Sequence, residues 1–134
     1  MNNAKKPPTN FTVDAGPGTL WKIRVFVWPT LAALLGARNV GNKGIQIRDC
    51  DAFCRQFSAS YATKSGKVVI AEMHFHAGNL KPSTIVHEST HAAIAYLKLA
   101  KLDLETYSGD EQFTQCVEHI FCGATWGIRN LVQL

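Results

Sequence analysis

The chain has 134 residues, of which 46% are hydrophobic and 18% are charged, and its formal net charge is +4. These values are typical of a globular protein and exclude a disordered chain, a coiled coil and a collagen-like chain. The length predicts a single domain that buries its own core. The basic residues are scattered rather than gathered in a stripe with interleaved aromatic residues, so we expect no specific nucleic-acid binding.

The N-terminal segment is polar and contains prolines. Residues 1–19 are predicted to form a flexible arm, and residues 20–134 a single domain. No stretch approaches the roughly 18 apolar residues of a membrane span, and no apolar segment follows the first lysines as it would in a secretory signal. We therefore expect a cytoplasmic protein without a membrane partner, whose four cysteines are reduced thiols that act mainly as small buried hydrophobes.

Three strands and a short helix are predicted in the first part of the domain. The β-branched and aromatic run Leu20–Trp28 predicts the first strand, and Leu31–Ala37 predicts a short helix. Phe53–Tyr61 fits both a helical face and a strand, and we favour the strand because the turn signal Thr63–Gly66 leads into a second strand, Lys67–His76. The two strands predict an antiparallel hairpin.

One face of the second hairpin strand is polar. Glu72, His74 and His76 alternate onto that face. A second metal site or a partner for a substrate oxyanion is one interpretation, but we favour a polar sheet face. An exposed strand edge beside a metal-binding helix can also hold an extended peptide by strand addition.

Two helices are predicted in the second part of the domain. Pro82 suits a first helical position, and the pattern predicts a helix over Ser83–Lys98. A last helix runs from about Asp110 to Phe121, and two glycines weaken its extension to Leu131. Together the elements predict an α+β fold, in which a small, mostly antiparallel sheet packs on the first of these helices and the C-terminal helix closes the site.

The first of these helices carries the motif H-E-x-x-H at His87, Glu88 and His91. Residues at i and i+4 lie on one face of a helix with about 5–6 Å between their Cβ atoms, so two imidazoles can grip one Zn²⁺ ion. Glu88 is rotated about 100° from His87 and can reach a water rather than the metal. A carboxylate placed there can act as a general base. Histidines that are merely polar surface groups or satisfied core groups are the alternative.

A catalytic zinc site needs a third protein ligand. Glu111 is favoured, because the nineteen residues after His91 fit the rest of one helix, a turn and the start of a second helix packed against the first. Ser108 and Glu111 also match a capping box, a role that competes for the same carboxylate. Other downstream candidates remain, with Glu118 second and His119 third: Asp103, Glu105, Asp110, Glu118 and His119.

The motif resembles that of the zincin metallopeptidases, and the spacing to Glu111 resembles the gluzincin branch. The segments Glu72–Gly78, Thr84–Ala93 and Asp110–Phe113 are also similar to small zincin-like proteins of bacteriophages and prophages. The resemblance implies a minimal zincin-like domain with one Zn²⁺ ion held by His87, His91 and Glu111, and with Glu88 as the catalytic base.

The function implied is that of a zinc-dependent metallohydrolase, a metallopeptidase acting on a peptide or protein substrate in the cytoplasm of a bacterial host. Two alternatives remain open. One is a catalytically silent, zinc-stabilised phage protein that binds and modulates a host protein. The other is an endopeptidase that cleaves the peptides of cell walls.

Overall fold

The computed structural model describes residues 6–16, 19–40, 50–57 and 68–132. Four strands and three helices follow in chain order. The strands and helices are β1 (Thr9–Asp14), β2 (Lys22–Trp28), α1 (Leu31–Arg38), β3 (Phe53–Gln56), β4 (Val69–His76), α2 (Pro82–Ala100) and α3 (Tyr107–Val132).

The four strands form one mixed sheet in the order β1-β2-β4-β3. The pairs β1/β2 and β3/β4 are antiparallel, whereas the central pair β2/β4 is parallel. The predicted α+β class is confirmed, and so is the antiparallel pairing of the two hairpin strands. The predicted turn at residues 63–66 lies outside the described residues.

The expectation of a flexible arm through residue 19 is wrong for Thr9–Asp14, which form β1 and pair with residues 22–27 of β2. Phe11 and Val13 of this strand pack against α3 at two glycines. A Cβ atom on Gly127 would lie 2.3 Å from the Phe11 ring, and one on Gly123 would lie 3.2 Å from Val13. Because these glycines have no side chains, they leave room for the edge strand β1. The helix continues through both of them to Val132.

The core lies between the sheet and the helices α2 and α3. On α3, apolar residues spaced by four face the sheet, as expected for one side of a long amphipathic helix. The fully or almost fully buried core residues include Ile23, Val25, Ala71, Met73, Phe75, Ile85, Ala92, Ala93, Cys116, Ile120, Ala124 and Ile128. This packing fixes α2 over the sheet and thereby sets which of its side chains reach solvent.

In the described ranges, no helix combines the length and the apolar character that crossing a bilayer requires.

Candidate metal centre

Helix α2 presents the two motif histidines on its exposed face. The helix begins with Pro82 at its first position and ends at Ala100, and the capping residue Lys101 adopts a left-handed conformation. The centres of the His87 and His91 rings are 5.0 Å apart, with the rings nearly perpendicular. A zinc–nitrogen distance of about 2.0–2.1 Å places two rings that share a tetrahedral ion roughly 5 Å apart. The spacing of the pair therefore fits one zinc ion.

Glu88 lies between the two histidines in sequence but points toward the protein interior. Only 6% of the Glu88 surface is exposed to solvent, yet Glu88 lines a cleft together with His87. Burial raises the pKa of the Glu88 carboxyl above its ordinary range, while the neighbouring His87 and His91 rings oppose that rise. A carboxylate with a raised pKa at the wall of a cleft is suited to accept a proton.

The cleft beside the motif has a volume of about 490 Å³. Its walls are the first two turns of α2, the turn before that helix and the segment that enters β3. Its lining residues are Cys50, Asp51, Ala52, Asn79, Ser83, Thr84, His87 and Glu88. The volume is within the range of ordinary ligand pockets, so a substrate group can enter beside His87 and Glu88.

Cys50 and Asp51 were not among the site residues expected from the sequence. The sequence feature that could have identified these two residues is the predicted hairpin. Because β3 runs antiparallel to β4, with Phe53 opposite His74, the start of β3 lies at the end of β4. That end of β4 is followed by α2, so the residues before β3 are brought to the N-terminal turns of the motif helix.

The structure does not bring Glu111 to the histidine pair. Glu111 is exposed on α3, where its Oε1 atom accepts a hydrogen bond from Gln115 Nε2 at 3.4 Å. The next residue, Gln112, lines a small cleft together with Tyr96 of α2. Along α2, Tyr96 lies about 13 Å of helical rise beyond His87. The first turns of α3 therefore lie near the C-terminal part of α2.

The other downstream candidates are also placed elsewhere. His119 lines a groove of about 510 Å³ between β1 and α3, and Asp103 accepts a hydrogen bond from the Glu105 amide. Across the four described ranges, no group of three or more His, Cys, Asp or Glu side chains is arranged to hold a metal ion. Of the four residues expected at the centre, the structure brings together His87, Glu88 and His91.

The start of α3 also differs from the capping box considered for Ser108. Thr106 is the capping residue, because its Oγ1 atom accepts a hydrogen bond from the Gly109 amide at 3.0 Å. Gly109 fits here because a Cβ atom would lie 2.0 Å from the Asp103 carbonyl oxygen. Ser108 instead accepts a hydrogen bond from the Gln112 side chain. The helix therefore begins two residues earlier, and Glu111 does not contribute to its cap.

His74 lies on the sheet face opposite α2 and α3. Its ring is stacked between Phe26 and Phe53, with centroid distances of 4.5 and 4.2 Å. The Trp28 indole donates a hydrogen bond to Nδ1 at 2.9 Å. Because an indole is only a donor, Nδ1 is unprotonated, and Nε2–H donates to Glu72 at 3.1 Å. The arrangement fixes one neutral tautomer of His74.

We expect the free energy of unfolding to fall as the pH drops below about 6.5, the ordinary histidine value. Burial lowers the pKa of His74, and the hydrogen bond from His74 lowers the pKa of Glu72. Both groups therefore bind protons more readily in the unfolded chain, so acid favours unfolding. Urea unfolding at about pH 7 and about pH 5 measures the effect. His74→Gln should lose less stability between the two pH values, and an equal loss would contradict this origin.

Comparisons of the chain with protein-family models, curated proteins and solved structures found no match. The resemblance to zincins thus rests on the motif His87–His91 and the segments around it. The functional conclusion must therefore come from the chemistry and geometry of the site itself.

Proposed function

We propose that the chain is a zinc-dependent metallohydrolase that cleaves peptide bonds, in which His87 and His91 hold one Zn²⁺ ion and Glu88 is the general base. The observation that carries the proposal is the presence of two exposed imidazoles at a zinc-compatible spacing, one of which, His87, shares a cleft with the buried Glu88 carboxylate. A purely structural helix has no need of a buried carboxylate beside two solvent-facing histidines, since burying a charged group is costly.

The metal ion and Glu88 would have separate roles in the reaction. A bound zinc ion lowers the pKa of water and polarises a carbonyl oxygen. Glu88 accepts a proton from the attacking water while the new carbon–oxygen bond forms. It then passes that proton to the departing amine nitrogen as the carbon–nitrogen bond breaks. The place of Glu88 at the wall of the cleft lets it serve both transfers.

The surroundings of the cleft are compatible with an extended peptide. Within the described ranges, β3 is the outermost strand on this side of the sheet. It is tied to the motif helix, because Gln56 Nε2 donates a hydrogen bond to the His91 carbonyl oxygen at 2.9 Å. A strand edge held beside the motif helix offers backbone donors and acceptors to a substrate strand.

The test is the zinc content of the purified protein. We expect one zinc ion per chain in the wild type and a loss of tightly bound zinc in both His87→Ala and His91→Ala, since each variant removes one imidazole donor. His119→Ala is the matched control, because it removes a histidine from the groove between β1 and α3 and should leave the zinc content unchanged. A wild type that binds no zinc, or histidine variants that retain it, would refute the proposal.

Two parts of the sequence-based expectation remain predictions. Location in the cytoplasm of a bacterial host is one of them, and it depends on the resemblance to phage-encoded proteins. A cell-wall peptide remains an alternative substrate, and incubation with purified cell-wall peptides and with unrelated peptides would distinguish the two substrate classes.

A further inference from the structure

We propose that Asp51 supplies the third protein donor to the metal, and that His76 positions the Asp51 carboxylate. This inference rests on the proposed function, but it concerns a different part of the chain from the helix that the sequence pointed to. It would make the centre a His-His-Asp site whose acid comes from upstream of the motif.

The position of Asp51 is the first argument. Asp51 lines the cleft that His87 and Glu88 also line, whereas no residue of α3 does so. Its side chain is 64% exposed, so it can rotate within the cleft without displacing core atoms. The structure does not gather Asp51 and the two histidines at bonding distance; the proposal therefore requires that rotation.

The state of His76 is the second argument. This residue is only 8% exposed, and its Nδ1 atom accepts a hydrogen bond from the Gly78 amide at 3.2 Å. In the neutral ring, Nε2 therefore carries the proton. Nε2 has no hydrogen-bond partner among the described residues, and the Asp51 Oδ1 atom is 3.7 Å away. A buried donor without a partner is costly, and a small shift of Asp51 would satisfy it.

The turn that holds His76 is closely fitted to its ring. A Cβ atom on Gly78 would lie 2.9 Å from the His76 Cε1 atom, so a glycine lets the backbone approach the imidazole. With one carboxylate oxygen on His76, the other oxygen of Asp51 is free to bind a metal. Carboxylates that bind metals are commonly oriented by such a second hydrogen bond.

Cys50 is the rival donor, since it lines the same cleft. Its thiol donates a hydrogen bond to the Ala52 carbonyl oxygen at 2.8 Å. The Cys50 thiol is therefore already engaged with the backbone, whereas the Asp51 side chain is 64% exposed and can turn toward a metal ion.

The experiment measures metal affinity rather than turnover. Zinc is titrated into the full chain against a chromophoric chelator, for the wild type and for Asp51→Asn, His76→Gln, Cys50→Ser and Glu111→Gln. We expect Asp51→Asn to weaken zinc binding by about 100-fold and His76→Gln by about 10-fold. Cys50→Ser and the matched carboxylate control Glu111→Gln should remain within about twofold of the wild type.

The outcomes separate this inference from the function on which it rests. A wild type that binds no zinc refutes the proposed function itself. A wild type that binds zinc while Asp51→Asn binds it equally well overturns the assignment of Asp51 and leaves the function standing. A loss confined to Glu111→Gln or to Cys50→Ser also overturns it, in favour of that residue.

A crystal structure of the zinc-bound wild type decides the matter without any variant, should Asp51→Asn fail to fold. An Asp51 oxygen about 2.0–2.2 Å from the ion supports the proposal. A different protein donor in that position overturns it.

Discussion

Glu88→Gln should retain zinc but lower turnover of a peptide substrate by about 10²–10⁴-fold, the usual contribution of a general base. The amide has nearly the same shape as the carboxylate, so the two histidines should keep their spacing. It cannot accept a proton, however, and the attacking water would lose its base. The measurement is the initial rate of cleavage of a mixed peptide substrate, with zinc content determined on the same samples.

The matched control is Glu118→Gln, the same chemical change at an exposed position of α3. It should leave the rate unchanged. Full activity in zinc-loaded Glu88→Gln would rule out the base mechanism. If neither wild type nor variant cleaves any peptide while zinc stays bound, the zinc-stabilised binding protein becomes the better description, and pull-down of a host partner would be its test.

The pH dependence of wild-type turnover should also show that Glu88 acts as the base. Glu88 must be ionised to act as a base, so kcat/KM falls as the pH drops through its pKa.

Phe75→Ala should lower the free energy of unfolding by about 3–5 kcal/mol. Phe75 is fully buried in β4, between the sheet and the helices that carry the site. Removing the ring forfeits its burial and leaves a cavity in a close-packed core. Because whole domains are stable by only about 5–15 kcal/mol, the loss is a large share of the total. Urea unfolding followed by circular dichroism measures it.

Trp126→Ala is the control for this loss, because it removes a larger ring from a residue of α3 that is 71% exposed. We expect a change of about 0.5 kcal/mol or less. Comparable losses in the two variants would contradict the burial described for β4.

The helices and strands that depend on local sequence patterns could be predicted from the sequence. The motif helix was expected over Ser83–Lys98 and spans Pro82–Ala100, because apolar spacing and a proline at the first position are local signals. The hairpin pairing of β3 with β4 followed from strand alternation. The alternation also separated the polar side chains of Glu72, His74 and His76 from the apolar side chains of β4.

The motif helix and the one-turn spacing of His87 and His91 follow from the sequence, since they depend on contacts within a few residues, and the pattern of strands and helices also predicts the α+β class. Three features emerge only in the folded chain: Thr9–Asp14 is a strand, Gly123 and Gly127 leave room for it, and β2 and β4 run parallel. The fold also does not group Glu111 with the two histidines, and it brings Asp51 to the cleft that His87 and Glu88 line. Long-range packing decides these features, because the relative position of two elements depends on the core between them rather than on the spacing along the chain.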